Sequence, residues 1–332
     1  MAKQQTEESR NMINYFDILP EECVADLISY TTPVDACRLT AVASSFRSVD
    51  DSDAVWEQFL PSDYQQLISR AVTDHGPIHD LLAFSFKKDL YLFLCDHPLI
   101  IDSGALSFSL DKRTGKKCFM LAASELRITW GDTPMYWRVT SDSESRFTKV
   151  IELIDVCSFI IYGKISTSLL SPQTAYTTYL VYKPSSVLFG FKDRPIEVSV
   201  GIIGEESINR NVYLNQKGRV QRRTANLPMQ MDSFHRFRAN QQRPQVAVPK
   251  EADSQYPATR KDGWLEIKLA EYYNKGGENT ELEINLKNVK WMSGLIIEGI
   301  EIRREVTLQL INCWYFKLYL LQNSSLEHFA IY

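Results

Sequence analysis

Between residues 157 and 302 the chain repeats one arrangement: a short run rich in β-branched and aromatic residues, a break, then another such run. Residues 157–162, 177–182, 196–202, 264–269, 281–286 and 295–302 all fit it. Such residues suit a pleated, half-buried surface, and many short strands divided by turns predict an antiparallel sandwich or barrel. Their phase identifies the face to be buried. After Gly263, Leu265, Ile267 and Leu269 fall on one side of the strand, which leaves Trp264, Glu266 and Lys268 on the other. Trp264 is therefore either packed beneath a loop or offered to a ligand.

Ahead of this region the period lengthens to that of helices. Pro20 suits a first helical position, Glu21 and Glu22 suit the positive end of the helix dipole, and Val24, Leu27 and Ile28 form one face. Thr32 is placed to cap a second helix that Pro33 opens, with Val34, Cys37, Leu39 and Val42 inside it. Residues 44–49 and 55–59 supply a third short helix and its closing contact. Residues 63–70 and 87–95 read as further helices, the second stopped by Pro98, with 99–102 as a short extended piece. The fold class is thus α+β, with helices first and an antiparallel sandwich or barrel after them. His75 and His79 are four apart, but Gly76 and Pro77 break the helix that would align them on a metal, so they read as a surface turn. Residues 111–117 read as a basic turn.

The strongest chemical signal is the stretch 126–138, Leu-Arg-Ile-Thr-Trp-Gly-Asp-Thr-Pro-Met-Tyr-Trp-Arg. Leu126, Ile128 and Trp130 alternate as in a strand, residues 131–134 break it, and Tyr136 and Trp137 follow. Such a turn sets flat rings beside the Asp132 carboxylate and the Arg138 guanidinium. Indole packs on the C–H face of a pyranose, while fixed polar groups hold the sugar hydroxyls. Aromatic residues are also common in β cores, so Trp130 and Trp137 can equally be read as core.

This stretch and residues 117–125 resemble the opening of the Nictaba-like lectin domain, also called the phloem protein two family. The resemblance continues through 145–157, 163–165, 170–172, 179–183, 197–201, 262–266 and 294–303, in order. It implies a jelly-roll-like sandwich and a sugar site in which Trp130 and Trp137 stand where the family has its two sugar-site tryptophans. Asp132, Tyr136 and Arg138 become possible polar partners, and Trp264 a secondary candidate. Ser158 stands where many members carry Trp, and Val139 where an aromatic often follows Trp-Arg.

Residues 15–60 resemble the F-box: Leu19-Pro20, a helix, a Pro-started helix, Ser45-Phe46-Arg47, and Trp56. So few residues in short helices bury little core alone, which makes a permanent helical partner physically reasonable; a small cap folded on its own neighbour is the plainer alternative. The resemblance implies a Skp-type adaptor, and through it a cullin, held at Leu19, Pro20, Ile28, Cys37, Val42 and Trp56. The expected organisation is a disordered N-terminus (1–12), the F-box (13–60), a helical connector (61–116), and the lectin domain (117–304) with a polar, basic insertion near 205–260. An atypical apolar tail (305–332) follows; it falls short of the roughly 20 apolar residues that span a bilayer.

The implied function is a non-catalytic substrate receptor of a Skp–cullin–F-box ubiquitin ligase that binds glycans or glycoproteins, or alternatively one whose sandwich reads a protein surface. No cofactor or metal is expected: there is no G-x-S-x-G elbow, H-E-x-x-H helix or P-loop. The net charge of −4 gives no general reason for nucleic-acid binding, so the arginines and glutamines of 215–244 read as a solvated loop. The 6 cysteines are scattered without C-x-x-C pairs, and the first residues are polar, which suggests the nucleus and cytoplasm.

Overall fold

The computed structural model describes residues 19–39, 52–71, 84–191, 194–215, 256–277 and 279–304. Val42, the helix expected at 44–49, the two histidines of the 75–79 turn, the N-terminus at 1–12, most of the insertion and the tail beyond 304 lie outside the described residues.

The helical part contains α1 (Glu21–Ser29), α2 (Pro33–Leu39), α3 (Asp53–Phe59), α4 (Tyr64–Ser69) and α5 (Lys87–Asp96). The Thr32 cap forms as its position dictates: its Oγ1 accepts the Asp35 N–H at 3.2 Å. Short helices need tertiary support, and Trp56 provides it. Its ring lies 5.5 Å from Phe59 and 5.3 Å from Tyr91, joining α3 to α5. The Asp53 carboxylate accepts the Lys87 N–H at 2.7 Å, which ties the start of α3 to that of α5.

The rest is antiparallel β-structure in two sheets. The larger orders β1 (Leu99–Ile101), β2 (Leu106–Leu110), β3 (Lys117–Ala122), β14 (Ser293–Arg304), β8 (Thr174–Phe189), β12 (Leu265–Asn274) and β11 (Ala258–Thr259). β6 (Val150–Leu153) also pairs with β14, and β5 (Trp137–Thr140) with β6. The smaller sheet orders β10 (Ile208–Val212), β9 (Ile196–Ile202), β13 (Glu281–Asn288), β7 (Phe159–Ser166) and β4 (Arg127–Ile128). Residues 99–110, placed by sequence in the connector, supply β1 and β2 of the larger sheet, and the basic 111–117 segment turns the β2–β3 hairpin. The Tyr91 hydroxyl donates to the Asp111 carbonyl at 3.1 Å, so α5 is stapled to that turn.

The expected phase holds in β12, where Leu265, Ile267 and Leu269 are buried. Inner residues of both sheets and of the helices belong to one apolar cluster. Gly163 permits the close approach of the sheets: a Cβ there would sit 3.0 Å from Leu126 and 3.2 Å from Ile300.

On the other face of the larger sheet, loop 141–149 covers a small cluster of Met120, Ala122, Phe147, Val150, Val181 and Trp264. Beside it Glu298 is buried; one carboxylate oxygen accepts the Arg146 N–H at 2.9 Å, and the other has no hydrogen-bond partner among the described residues. Burial raises its pKa above the ordinary value of 4.5. A carboxyl group raised by folding favours the folded state below its unfolded pKa and loses that contribution as pH rises through its folded pKa. Glu298→Gln should therefore gain stability relative to the parent chain as pH rises from the ordinary value, levelling above the raised one. Urea midpoints of both proteins at several pH values check this; a constant difference would refute it.

Candidate functional site

The stretch 129–137 bridges the two sheets, leaving β4 at the edge of the smaller one and entering β5 on the larger. It is tied at both ends: the Thr129 N–H donates to the Ile160 carbonyl at 3.0 Å, and the Ile154 N–H donates to the Tyr136 carbonyl at 2.9 Å. Between them the Tyr136 and Trp137 N–H groups both donate to the Thr133 carbonyl, at 2.9 and 3.0 Å.

Trp130 has φ +58°, in the left-handed region that bulky residues avoid. Such a conformation costs about 1–3 kcal/mol and persists where the surroundings enforce it. It turns the indole outward, 46% exposed, with the Tyr136 ring 5.5 Å away at 41°. Asp132 is exposed on the same turn and makes no ion pair among the described residues.

The other expected site residues are placed differently. Trp137 is 2% exposed, its Nε1–H donates to the Thr129 carbonyl at 3.2 Å, and its ring lies 6.2 Å from Phe159. It opens β5 with its side chain directed into the core, where an indole contributes more by burial than in water. The surface therefore presents one indole of the expected pair, and the second supports the turn from below. Arg138 follows on the outward side and pairs with Glu152 at 2.6 Å. Trp264 is fully buried in the separate cluster under loop 141–149: its Nε1–H donates to the Glu144 carbonyl at 3.1 Å, and the Lys183 ammonium lies 4.3 Å from its ring centre. Of the two readings of Trp264, packed beneath a loop or offered to a ligand, the structure shows the first: loop 141–149 closes that face.

The N-terminal set divides in the same way. Leu19, Pro20 and Cys37 are exposed, whereas Ile28 and Trp56 are buried at 2% and 1% and support the surface instead of forming it. Leu27, grouped by periodicity with the buried face, is 50% exposed, and Tyr30 is 88% exposed.

Sequence reasoning missed Trp291, 56% exposed in the turn between β13 and β14. A tryptophan between two strand runs, beside Lys290, was the signal available.

Residues 116–304 match the family described as phloem protein 2, from the start of β3 to the end of β14. The chain belongs to the phloem protein 2 family. It is 39% identical over 295 residues to F-box protein At2g02240 of Arabidopsis thaliana, covering 87% of this chain and 80% of that one. F-box protein PP2-B10 of the same plant is 39% identical over 293 residues, covering 87% and 93%. Among solved structures, a GH26-CBM35 mannanase of Podospora anserina superposes at TM-score 0.29 with 9% identity over 57% of this chain and 28% of that one, too slight a likeness to bear on function. In this phloem protein 2 chain no group of three or more His, Cys, Asp or Glu among the described residues could hold a metal ion. No helix among them is long and apolar enough to cross a membrane.

Proposed function

We propose that the chain is the substrate-receptor subunit of a Skp–cullin–F-box ubiquitin ligase, and that its two sheets form a jelly-roll-like sandwich that binds a glycan on a client protein. The observation that carries the client-binding half is Trp130, turned outward in a costly backbone conformation over Tyr136 and beside the exposed carboxylate of Asp132. An exposed indole offers its face to a pyranose, and the carboxylate accepts hydrogen bonds from sugar hydroxyls. The adaptor half is supported by the F-box names of the relatives and by exposed apolar residues Leu19 and Leu27 on the first helix and the residues before it.

The chain itself breaks no bond in this role. It holds a client near a ubiquitin-charged enzyme and so raises the effective concentration of client lysines. Affinity for a single glycan is modest, because exposed hydrogen bonds gain little over those to water. Such a receptor works in the nucleus and cytoplasm. A protein-reading surface is the second candidate, favoured by the exposure of Met135 (72%) and Val139 (62%) near the same turn.

The test is a glycan-array screen of the chain in complex with a Skp-type adaptor, beside Trp130→Ala and Leu19→Glu variants. Leu19→Glu is expected to lose adaptor capture at unchanged glycan signal, with stability altered by no more than about 0.5 kcal/mol because the site is exposed. Trp130→Ala is expected to lose at least tenfold in glycan signal and keep the adaptor. Adaptor capture by a parent chain that binds no glycan transfers the reading to a protein surface; a parent chain that captures no adaptor removes the ligase role.

A further inference from the structure

The helical part meets the sandwich across a cleft of about 320 Å³. Its walls are the α1–α2 turn at Ser29 and Thr31, the α3–α4 loop at residues 58–63 and the β2–β3 turn at residues 114–117. Gly115 sets the two sides this close: it has φ +69°, and a Cβ there would lie 2.4 Å from the Phe59 carbonyl oxygen at the end of α3. Its neighbour Lys116 is thereby held on the cleft wall, half-buried.

The cations around this cleft are not treated alike. Lys117 is buried, with its ammonium 2.9 Å from the Asp63 carboxylate and its N–H donated to the Ser171 hydroxyl at 3.1 Å. Lys112, on the same turn, pairs with Asp96 at 2.9 Å. The Lys116 ammonium has no carboxylate partner and makes no hydrogen bond among the described residues, and the guanidinium of Arg304, half-buried at the end of β14, has none either. The two lie near enough to repel: burial first, and the Arg304 charge second, hold the Lys116 pKa below the ordinary 10.5. A desolvated cation is usually paired, because alone it forfeits the hydration it had in water. Asp63 is the one carboxylate among the described residues lining the cleft, and Lys117 already holds it, so the wall carries a net positive charge.

We propose that this cleft binds a small, doubly charged oxyanion, a phosphate or the phosphate monoester of a polyol, between the helical part and the sandwich. The Lys116 ammonium supplies the principal charge-assisted hydrogen bond, and Arg304 adds positive field beside it. The Ser62 hydroxyl, which makes no hydrogen bond among the described residues, donates from the opposite wall. Ser29 and Thr31 have spent their hydroxyl hydrogens on the Asp26 and Ile28 carbonyls, each at 2.7 Å, and so offer lone pairs to the hydroxyls of an ester. The volume is at the small end for ligand sites and suits a compound of few atoms, not a nucleic-acid strand or a folded partner. Because such a ligand touches both walls, its occupancy fastens the α3–α4 loop to the β2–β3 turn and stabilises the fold by mass action.

The experiment titrates the full chain, prepared without phosphate, with inorganic phosphate and glycerol 3-phosphate by calorimetry and thermal unfolding, against sodium chloride at matched ionic strength. Lys116→Gln, Arg304→Gln and Lys112→Gln are titrated alongside. Lys116→Gln is expected to lose affinity by about tenfold or more, the scale of one charge-assisted hydrogen bond. Arg304→Gln should lose less, and Lys112→Gln should bind as the parent chain does. Reductive methylation read by peptide mass gives a second measure: phosphate should slow labelling of Lys116 and leave Lys112 unaffected. Tighter binding of glycerol 3-phosphate than of phosphate assigns the site to a monoester, and equal binding assigns it to the bare anion. In phosphate-free buffer Lys116→Gln should unfold at the same urea concentration as the parent chain or a higher one, since it removes a charge without a partner. A lower midpoint there reveals a protein partner for the ammonium and overturns the proposal. Equal phosphate affinity in the parent chain and Lys116→Gln also overturns it, as does an effect that chloride reproduces, which marks an adventitious ion only.

Discussion

Trp137→Ala is expected to destabilise the chain by about 3–5 kcal/mol, the usual cost of removing a large buried aromatic side chain. The side chain is 2% exposed, packs near Phe159, and donates its indole N–H to the Thr129 carbonyl, so truncation leaves both a cavity and an unpaired acceptor beneath the turn. Trp130→Ala, one turn away and half exposed, should cost roughly 1 kcal/mol or less, and Trp130→Gly should recover part of even that, since glycine adopts positive φ freely. Urea denaturation of the three variants gives the comparison. Similar losses at positions 130 and 137 would contradict the assignment of one indole to the surface and the other to the core. Under the proposed glycan reading, loss of binding in a Trp137 variant reports a collapsed turn, and in a Trp130 variant the proposed contact.

The second large effect is expected at Glu301. Its carboxylate sits among three guanidiniums: Arg146 at 3.3 Å, Arg260 at 2.6 Å and Arg303 at 2.8 Å. Glu266 shares the load by pairing with Arg260 and Arg303, and the Arg303 guanidinium also lies 4.0 Å from the Tyr179 ring centre. Glu301→Ala leaves those cations largely buried with less compensation, at a cost of roughly 3–5 kcal/mol. Burial alone would raise the Glu301 pKa, but the surrounding arginines overcome it and hold the value below the ordinary 4.5. A carboxylate depressed by folding contributes stability above its unfolded pKa and loses it as pH falls through the folded one. The parent chain should therefore lose this contribution only in acid, below about 4.5, and the variant should lack that part of the acid loss. Thermal unfolding between neutral pH and strong acid tests the sign. A variant that loses stability in parallel with the parent chain would remove Glu301 from the account.

Much of the fold was legible because its signals are local. The Thr32 cap, the helix at Lys87–Asp96 and the phase of Leu265, Ile267 and Leu269 each depend on residues within a few positions of one another. The short extended piece read at 99–102 is β1, whereas β2 was hidden in the supposed connector because a strand of five residues carries too little periodicity to mark it. The site was half legible. Composition marked the 126–138 turn, but which indole faces water depends on the left-handed backbone at Trp130 and the core under β5, neither of which leaves a trace in residue spacing. The burial of Trp264 depends on loop 141–149, more than a hundred residues away in sequence. Ile28 and Trp56 were misplaced for a related reason: a small helical unit needs its own core before it can offer a surface.

The packing of α5 against the β2–β3 turn has a further consequence for the proposed ligase. One apolar cluster takes in residues of α1 through α5 and of both sheets, so on the proposed reading the adaptor end and the client end share a core. A receptor of this kind acts as a ruler. The place on a client where its glycan is attached then decides which lysines come into range, so moving one glycosylation site along the client surface shifts the pattern of ubiquitinated positions without any change in affinity.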